Sequence, residues 1–245
     1  MSPALCASLI ARARELWESL AGTGAGFTSA ISVTVSPSSR LCPPGWAGIV
    51  VIGDAVIATA PDHETARHVE QALGGLAVAS LTDLAVLSGR LQITEIRGPA
   101  TLAYLDPADF RPQPAAPLAR PASLDDPAFR RLLSGASAAD LEESGLGEIT
   151  SPAFTVRERD DVVAAAGYRD WPCRTAHLSI LTAEPARGRG LARAAASAAV
   201  THAISAGKLP QWRASVPASR RVALALGFRE IGSQASISIA VAQGR

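Results

Sequence analysis

His177-Leu178-Ser179-Ile180-Leu181-Thr182, Ala183-Glu184-Pro185-Ala186 and Arg187-Gly188-Arg189-Gly190-Leu191-Ala192 follow one another without a break and decide how the second half of this chain is read. The first six residues, apolar and β-branched in type, lead in as a strand. The Arg/Gly run makes a turn, and Ala194 to Ser205, free of Pro and Gly, suits a helix. Gly207 ends that helix, Lys208 sits near its negative end, and Pro210 prevents continuation. A strand over Gln211 to Val216 comes next, then a helix opened by Pro217, running from Ala218 to Leu226 and closed by Gly227 ahead of Phe228. A turn of this kind can hold a pyrophosphate. Its glycines let the backbone come close to an anion, and the N–H groups of the next helix's first turn point outward at the positive end of its dipole.

The turn motif alone recurs by accident in a chain rich in Arg, Gly and Ala; its neighbours carry the reading. In order and spacing they resemble the GNAT superfamily of acyl-CoA-dependent N-acyltransferases. The strand with Arg187-Gly188-Arg189-Gly190-Leu191-Ala192 is similar to that family's acyl-CoA pyrophosphate loop. Leu209-Pro210-Gln211-Trp212 resembles the P-x-W lead-in of a bacterial subgroup. Pro217 to Ala223 resembles the segment N-x-x-S-x-x-x-A, and Leu226-Gly227-Phe228 the closing L-G-F. The resemblance covers roughly residues 125 to 245. Two positions depart from it: Val216 stands where the family usually has Asn, and Ala223 where many members carry a Tyr thought to protonate the leaving thiolate.

The resemblance implies a fold and a reaction. The fold is α/β (α+β), with a mixed, mostly antiparallel central sheet in the C-terminal half. Acetyl-CoA or another acyl-CoA is the implied co-substrate, and the acyl group passes to an amine, small-molecule or peptide, by direct attack in a ternary complex. Backbone groups of Leu181, Thr182 and Ala183 are expected to pair with the pantetheine arm, as an edge strand extends its ladder onto an amide-bearing ligand. The N–H groups of Gly188, Arg189, Gly190, Leu191 and Ala192 are expected to hold the pyrophosphate, Arg187 and Arg189 adding charge. A protonated amine cannot attack, so a group must take its proton. His177, on the cofactor strand, is the first candidate, as an imidazole titrating near neutrality; Glu143 and Glu148 are others. Ser219 matches the family's Ser and would donate to the thiolate, although a Ser near a helix start also serves as a cap. The departures at Val216 and Ala223 keep open a non-catalytic acyl-CoA sensor or interaction module. A dinucleotide-binding oxidoreductase is disfavoured, because the G-x-G-x-x-G turn followed by an acidic residue is absent.

The remaining composition bounds partners and compartment. With 245 residues, 48% of them hydrophobic, the chain is long enough for a substantial core and for one or two domains. A formal charge of +1 leaves no electrostatic footprint for nucleic acid or an anionic membrane. No run approaches ~18 apolar residues, and the start lacks a basic segment followed by an apolar one, which together imply a soluble, cytoplasmic protein. Cys6, Cys42 and Cys173 are scattered and read as reduced structural thiols, and His63, His68, His177 and His202 have no metal-ligand spacing, so no metal is expected.

Five prolines fall between Pro107 and Pro121 in a stretch without hydrophobic periodicity, which predicts a semi-rigid linker and a division near residue 115. Residues 1–115 then form an N-terminal α+β domain and 116–245 the acyltransferase-like domain. The N-terminal part reads as a helix over Ala4 to Leu20, a hairpin of Ile49 to Ile52 and Ala55 to Thr59 about Gly53-Asp54, a helix over Asp62 to Leu73, a short helix around Leu81 to Leu87, and strands at Leu91 to Ile96 and Ala100 to Tyr104. It either walls the acceptor pocket or forms a homodimer contact. The C-terminal part opens with helices near Asp126 to Leu133 and Ala138 to Ser144, then a hairpin, Ala153 to Arg159 and Val162 to Tyr168, before the strand Arg174 to Thr182.

Overall fold

The computed structural model describes residues 3–22, 24–113 and 119–240. In chain order the first elements are helix α1 (Pro3–Ala21), strands β1 (Val33–Val35), β2 (Ala47–Ile52) and β3 (Ala55–Ala60), helices α2 (His63–Leu73) and α3 (Leu84–Arg90), and strand β4 (Ile93–Tyr104). Strand β5 (Arg120–Ala122), helices α4 (Pro127–Ser134) and α5 (Ala138–Ser144), and strands β6 (Ala153–Glu158), β7 (Asp161–Trp171) and β8 (Thr175–Thr182) follow. The chain continues through α6 (Leu191–Ser205), β9 (Leu209–Ala214), α7 (Pro217–Ala225) and β10 (Arg229–Ile239). This is the expected mixed α/β class with mostly antiparallel pairing.

The expected division at residue 115 falls within 114–118, outside the described residues. The chain's compact units are residues up to 102 together with those from 231 onward, and residues 103–230. The proline-rich run therefore starts inside the second unit. Its described part is tied down there: Arg111 N–H donates to Leu226 O (3.0 Å), and Gln113 N–H to Ser197 Oγ (3.0 Å).

In the first unit the strand order is β1, β3, β2, β10, β4. Val69 and Leu73 of α2 pack on Val51, Val56 and Ile237, and Asp62 caps that helix by accepting from Thr65 N–H. Two expectations are corrected here. The short helix starts later than expected, at Leu84, because Asp83 caps it by accepting from the N–H groups of Ala85 and Val86. The two strands read on either side of Gly98-Pro99 are one strand, β4. Gly98 (φ 98°) lies so close to the neighbouring strand that a Cβ there would sit 2.7 Å from Gln234 O, so this glycine serves strand packing and not a turn.

In the second unit the order is β9, β8, β7, β6, β5. Among the described pairings of these five strands, β8 with β9 is parallel and the others are antiparallel. One face is covered by α6, whose alanines 194, 195, 196, 199 and 203 let it lie close against Phe154, Ala166 and Leu178. The other face is covered by α4, through Ala128, Phe129 and Leu132 against Val162, Ala165 and Leu181. Burying both faces fixes the register of β8, since a one-residue slip would exchange its α6-facing Leu178 for its α4-facing Leu181.

Candidate active site

The feature that makes a site is where β8 and β9 stop pairing. They match only from Thr175 with Leu209 to His177 with Gln211, whereas β8 stays paired with β7 along its whole length. Beyond His177 the two parallel strands part. Ala183 N–H donates to Val163 O (2.9 Å), and hydrogen bonding alternates along an antiparallel ladder, so the backbone groups of Leu181 also face β7. Those of Ile180 and Thr182 face the gap. The expected trio of Leu181, Thr182 and Ala183 is thereby corrected: Ile180 and Thr182 turn their backbone groups to the gap, where Thr182 O accepts from Arg187 Nε–H, and Ala183 has spent its N–H.

This gap opens into a cavity of about 700 Å³ lined by α5, the second half of β8, the 186–190 turn, the first turn of α6, the end of β9 and one face of α7. Gly188 (φ 77°) and Gly190 (φ 78°) take the left-handed conformation, and a Cβ on either would meet nothing within 4 Å. Gly190 is the residue before α6 and offers no side-chain cap. The first N–H groups of a 15-residue helix thus open onto the cavity beside Gly190, Leu191 and Ala192.

Side chains complete the lining. Arg187 reaches Asp140 on α5 (2.8 Å) and Thr182 O (3.3 Å). Arg193 donates to Ala225 O (3.1 Å) while its Nε is buried without a partner, as is Thr182 Oγ1. Glu143 accepts from Ser215 N–H (3.1 Å) and Ser215 Oγ–H (2.6 Å). Ser219 Oγ accepts from Trp212 Nε1–H (2.9 Å).

Residues 138–233 match the family described as GNAT acetyltransferase. This stretch, about two fifths of the chain, is similar to the GNAT superfamily. Family and fold support acyl transfer as its general chemistry. Among curated proteins none matches the chain. Similar solved structures include a GCN5-related N-acetyltransferase-like protein from Streptococcus suis (16% identity, 94% of this chain and 98% of that one, TM-score 0.49). A GNAT-family acetyltransferase from Colwellia psychrerythraea is another (14% identity, 75% and 76%, TM-score 0.49). A third is a putative GNAT-family acetyltransferase from Novosphingobium aromaticivorans (20% identity, 59% of this chain, TM-score 0.45); the chain spans 65% of that protein's length.

Within the GNAT segment the expected site residues separate into two groups. Arg187, Gly188, Gly190, Leu191, Ala192, Thr182, Leu181, Glu143 and Ser219 all line the one cavity. His177, Glu148, Arg189 and Ala183 do not. Glu148 is held by Arg169 (2.5 Å), and Arg189 is drawn to Glu158. His177 is stacked on Trp171 (ring centroids 4.1 Å apart, 10° between planes) and bonded through Nδ1 to Gln211 Oε1. Burial, then the nearby Arg213 and Arg169, push its imidazole down to about 3 against the hydrogen bond that Nδ1–H donates to Gln211 Oε1, so the titration near neutrality that the sequence suggests is absent. Sequence reading missed Arg193 and Arg221. The signal for Arg221 was there: Ala218, Arg221, Val222 and Ala225, spaced i, i+3, i+4, i+7, form the face of α7 that lines the cavity.

His177 has a consequence for stability. The unfolded chain protonates this histidine near its ordinary 6.5 and the folded chain only near 3, so between these values the unfolded state binds more protons and stability falls as pH falls. The contribution is fully present above 6.5. His177→Phe keeps a ring on Trp171 and removes the titration. Denaturant unfolding of this variant is expected to show a shallower loss of stability on acidification across that window, by up to about 1.4 kcal/mol per pH unit. An unchanged slope refutes the assignment.

Among the described residues no helix is long and apolar enough to cross a membrane, and no cluster of His, Cys, Asp or Glu is able to hold a metal ion.

Proposed function

We propose that the 103–230 unit transfers an acetyl or short acyl group from acyl-CoA to an amine within a ternary complex. The observation that carries this reading is the coincidence of a parted parallel strand pair and a glycine-flanked helix N-terminus on one cavity of about 700 Å³. The pantetheine amides extend the edge at Ile180 and Thr182, displacing Arg187 from Thr182 O, and the buried Thr182 Oγ1 gains a partner there. The pyrophosphate sits at the start of α6, with Arg187, Arg193 and Arg221 supplying charge. Glu143, a cavity-lining carboxylate, takes the amine's proton directly or through water, in place of His177. The amine nitrogen then bonds to the thioester carbon, the C–S bond breaks, and Ser219 O–H donates a hydrogen bond to the departing thiolate. The proton that ends on sulfur is the one the amine sheds, relayed by solvent. Positioning supplies most of the rate, since well-oriented reactants remove roughly 7–11 kcal/mol of barrier in intramolecular cases.

The buried Ala223, 2% exposed, favours the second reading, an acyl-CoA sensor without turnover, because no acid stands where the family's Tyr does. Calorimetric titration of acetyl-CoA into wild type and an Arg187→Glu/Gly190→Asp double variant, followed by an amine screen, tests both. Binding lost in the variant with turnover of an amine supports transfer; binding without turnover of any amine supports the sensor; no binding by wild type overturns both.

Asp140 already occupies Arg187. Its carboxyl is held below the usual range by Ser137 first and Arg187 next, so at neutral pH it is a resident anion that a phosphate has to displace. Asp140→Asn is therefore expected to tighten CoA binding about two- to fivefold, the size of an exposed ion pair. Weaker binding in that calorimetric comparison shows instead that Asp140 orients Arg187 for the ligand.

A further inference from the structure

The Ser219 hydroxyl has one proton and two lone pairs, and Trp212 Nε1–H is a donor only, so in the 2.9 Å contact between them the serine must accept. Its own proton is left for a second partner. Among the described residues Ser219 Oγ takes part in hydrogen bonding only as the acceptor from Trp212, and Ser219 stands within α7, whose N-cap is Val216, so its oxygen is not the helix cap. Both side chains line the cavity. The indole is itself fixed, 2% exposed and edge-on to Phe228 (5.3 Å, 74°), so its N–H points at the serine from a rigid mount.

We propose, on the footing of the acyl-transfer reading, that Trp212 is a positioning residue that turns the Ser219 O–H toward the thioester sulfur. A free hydroxyl rotor would share its proton among water and backbone acceptors. The indole bond occupies one lone pair and confines the O–H to the cavity side, where charge develops on sulfur as the C–S bond breaks. Preorganised donors of this kind stabilise the charge without reorganising at the moment of reaction. The pair fills a need particular to this chain, since Ala223 supplies no acid. Trp212 thus acts through Ser219 and does not touch the reacting atoms in this scheme.

The test titrates the thiol of bound coenzyme A through its ultraviolet thiolate absorbance, in wild type, Trp212→Phe, Ser219→Ala and the double variant. Phe keeps a ring against Phe228 and removes only the N–H donor and part of the indole. Coenzyme A bound to wild type is expected to have a thiol about tenfold more acidic than free coenzyme A, the effect of one hydrogen bond to a charged acceptor. Both single variants are expected to lose that increase, and the double variant to lose no more than either one. Retained acidity in Trp212→Phe alongside its loss in Ser219→Ala overturns the proposal, and so do losses that multiply in the double variant. A wild-type complex whose thiol titrates as free coenzyme A also overturns it while leaving acyl-CoA binding intact; failure of wild type to bind coenzyme A refutes the acyl-CoA reading itself.

Discussion

Gly190→Asp is expected to bind acetyl-CoA at least about fivefold more weakly than Gly190→Asn, since one charge at a helix N-terminus or in a charge-assisted hydrogen bond is worth roughly 1–3 kcal/mol. The comparison isolates charge. Gly190 sits at φ 78°, so both substitutions carry the same left-handed strain, and a Cβ at that position meets nothing within 4 Å, so both side chains fit. Asn and Asp have nearly the same shape, and both are good residues before a helix. What differs is that Asp places a carboxylate where the first N–H groups of α6 would meet the pyrophosphate, and it satisfies those donors itself. Thermal unfolding checks the fold, with Gly190→Asp expected to be no less stable than Gly190→Asn. Calorimetry then reads the affinities. Equal affinities in the two variants refute a phosphate site at the start of α6.

The turn and helix start proposed to hold the cofactor were legible in the sequence because their determinants are local. The glycines of Arg187-Gly188-Arg189-Gly190, the stop signals at Gly207 and Pro210, and Pro217 opening α7 act within a few residues of themselves. Which edge of β8 is free was not legible. It depends on whether the odd or even residues face β7, a parity fixed by the bond from Ala183 N–H to Val163 O, and so Leu181 and Ala183 were assigned to the wrong side. The fate of His177 was hidden for the same reason. Trp171, Gln211 and Arg213 reach it from two neighbouring strands, and their combined effect turns a prospective base into a half-buried ring that takes up a proton only well below neutrality. Arg189 was lost to Glu158, 31 positions away, a partner that no spacing rule names. Glu143 lies on the cavity because a helix end facing a parted strand pair leaves its carboxylate there. The first unit's fold was read well where turns are tight, as at Gly53-Asp54, and poorly at Gly98, where close strand packing and a turn call for the same residue.

Gly227→Ala is expected to lower the stability of the 103–230 unit by at least about 3 kcal/mol, the sum of a strained backbone and an overpacked contact. Gly227 takes φ 97°, outside what an L side chain readily adopts, and a Cβ there would stand 2.0 Å from Asp109 O and 3.0 Å from Asp109 C. The obstacle is backbone, so no rotamer change relieves it. Relief requires the segment after Leu105 to move, and that segment is held by Arg111 N–H on Leu226 O (3.0 Å) and by Leu105 N–H on Pro210 O (3.1 Å). Shifting it strains the end of α7 and the start of β9 together, the two elements that present Ser219 and Trp212 to the cavity. The midpoint of thermal unfolding is therefore expected to fall by at least about 6 °C, taking 2–4 °C per kcal/mol for a chain of this size. Gly188→Ala carries a similar positive φ (77°) with nothing within 4 Å of the new Cβ, and is expected to cost only about 1–2 kcal/mol. Equal losses in the two variants would mean that backbone conformation alone makes Gly227 necessary; the larger loss expected at Gly227 assigns the difference to the Asp109 contact.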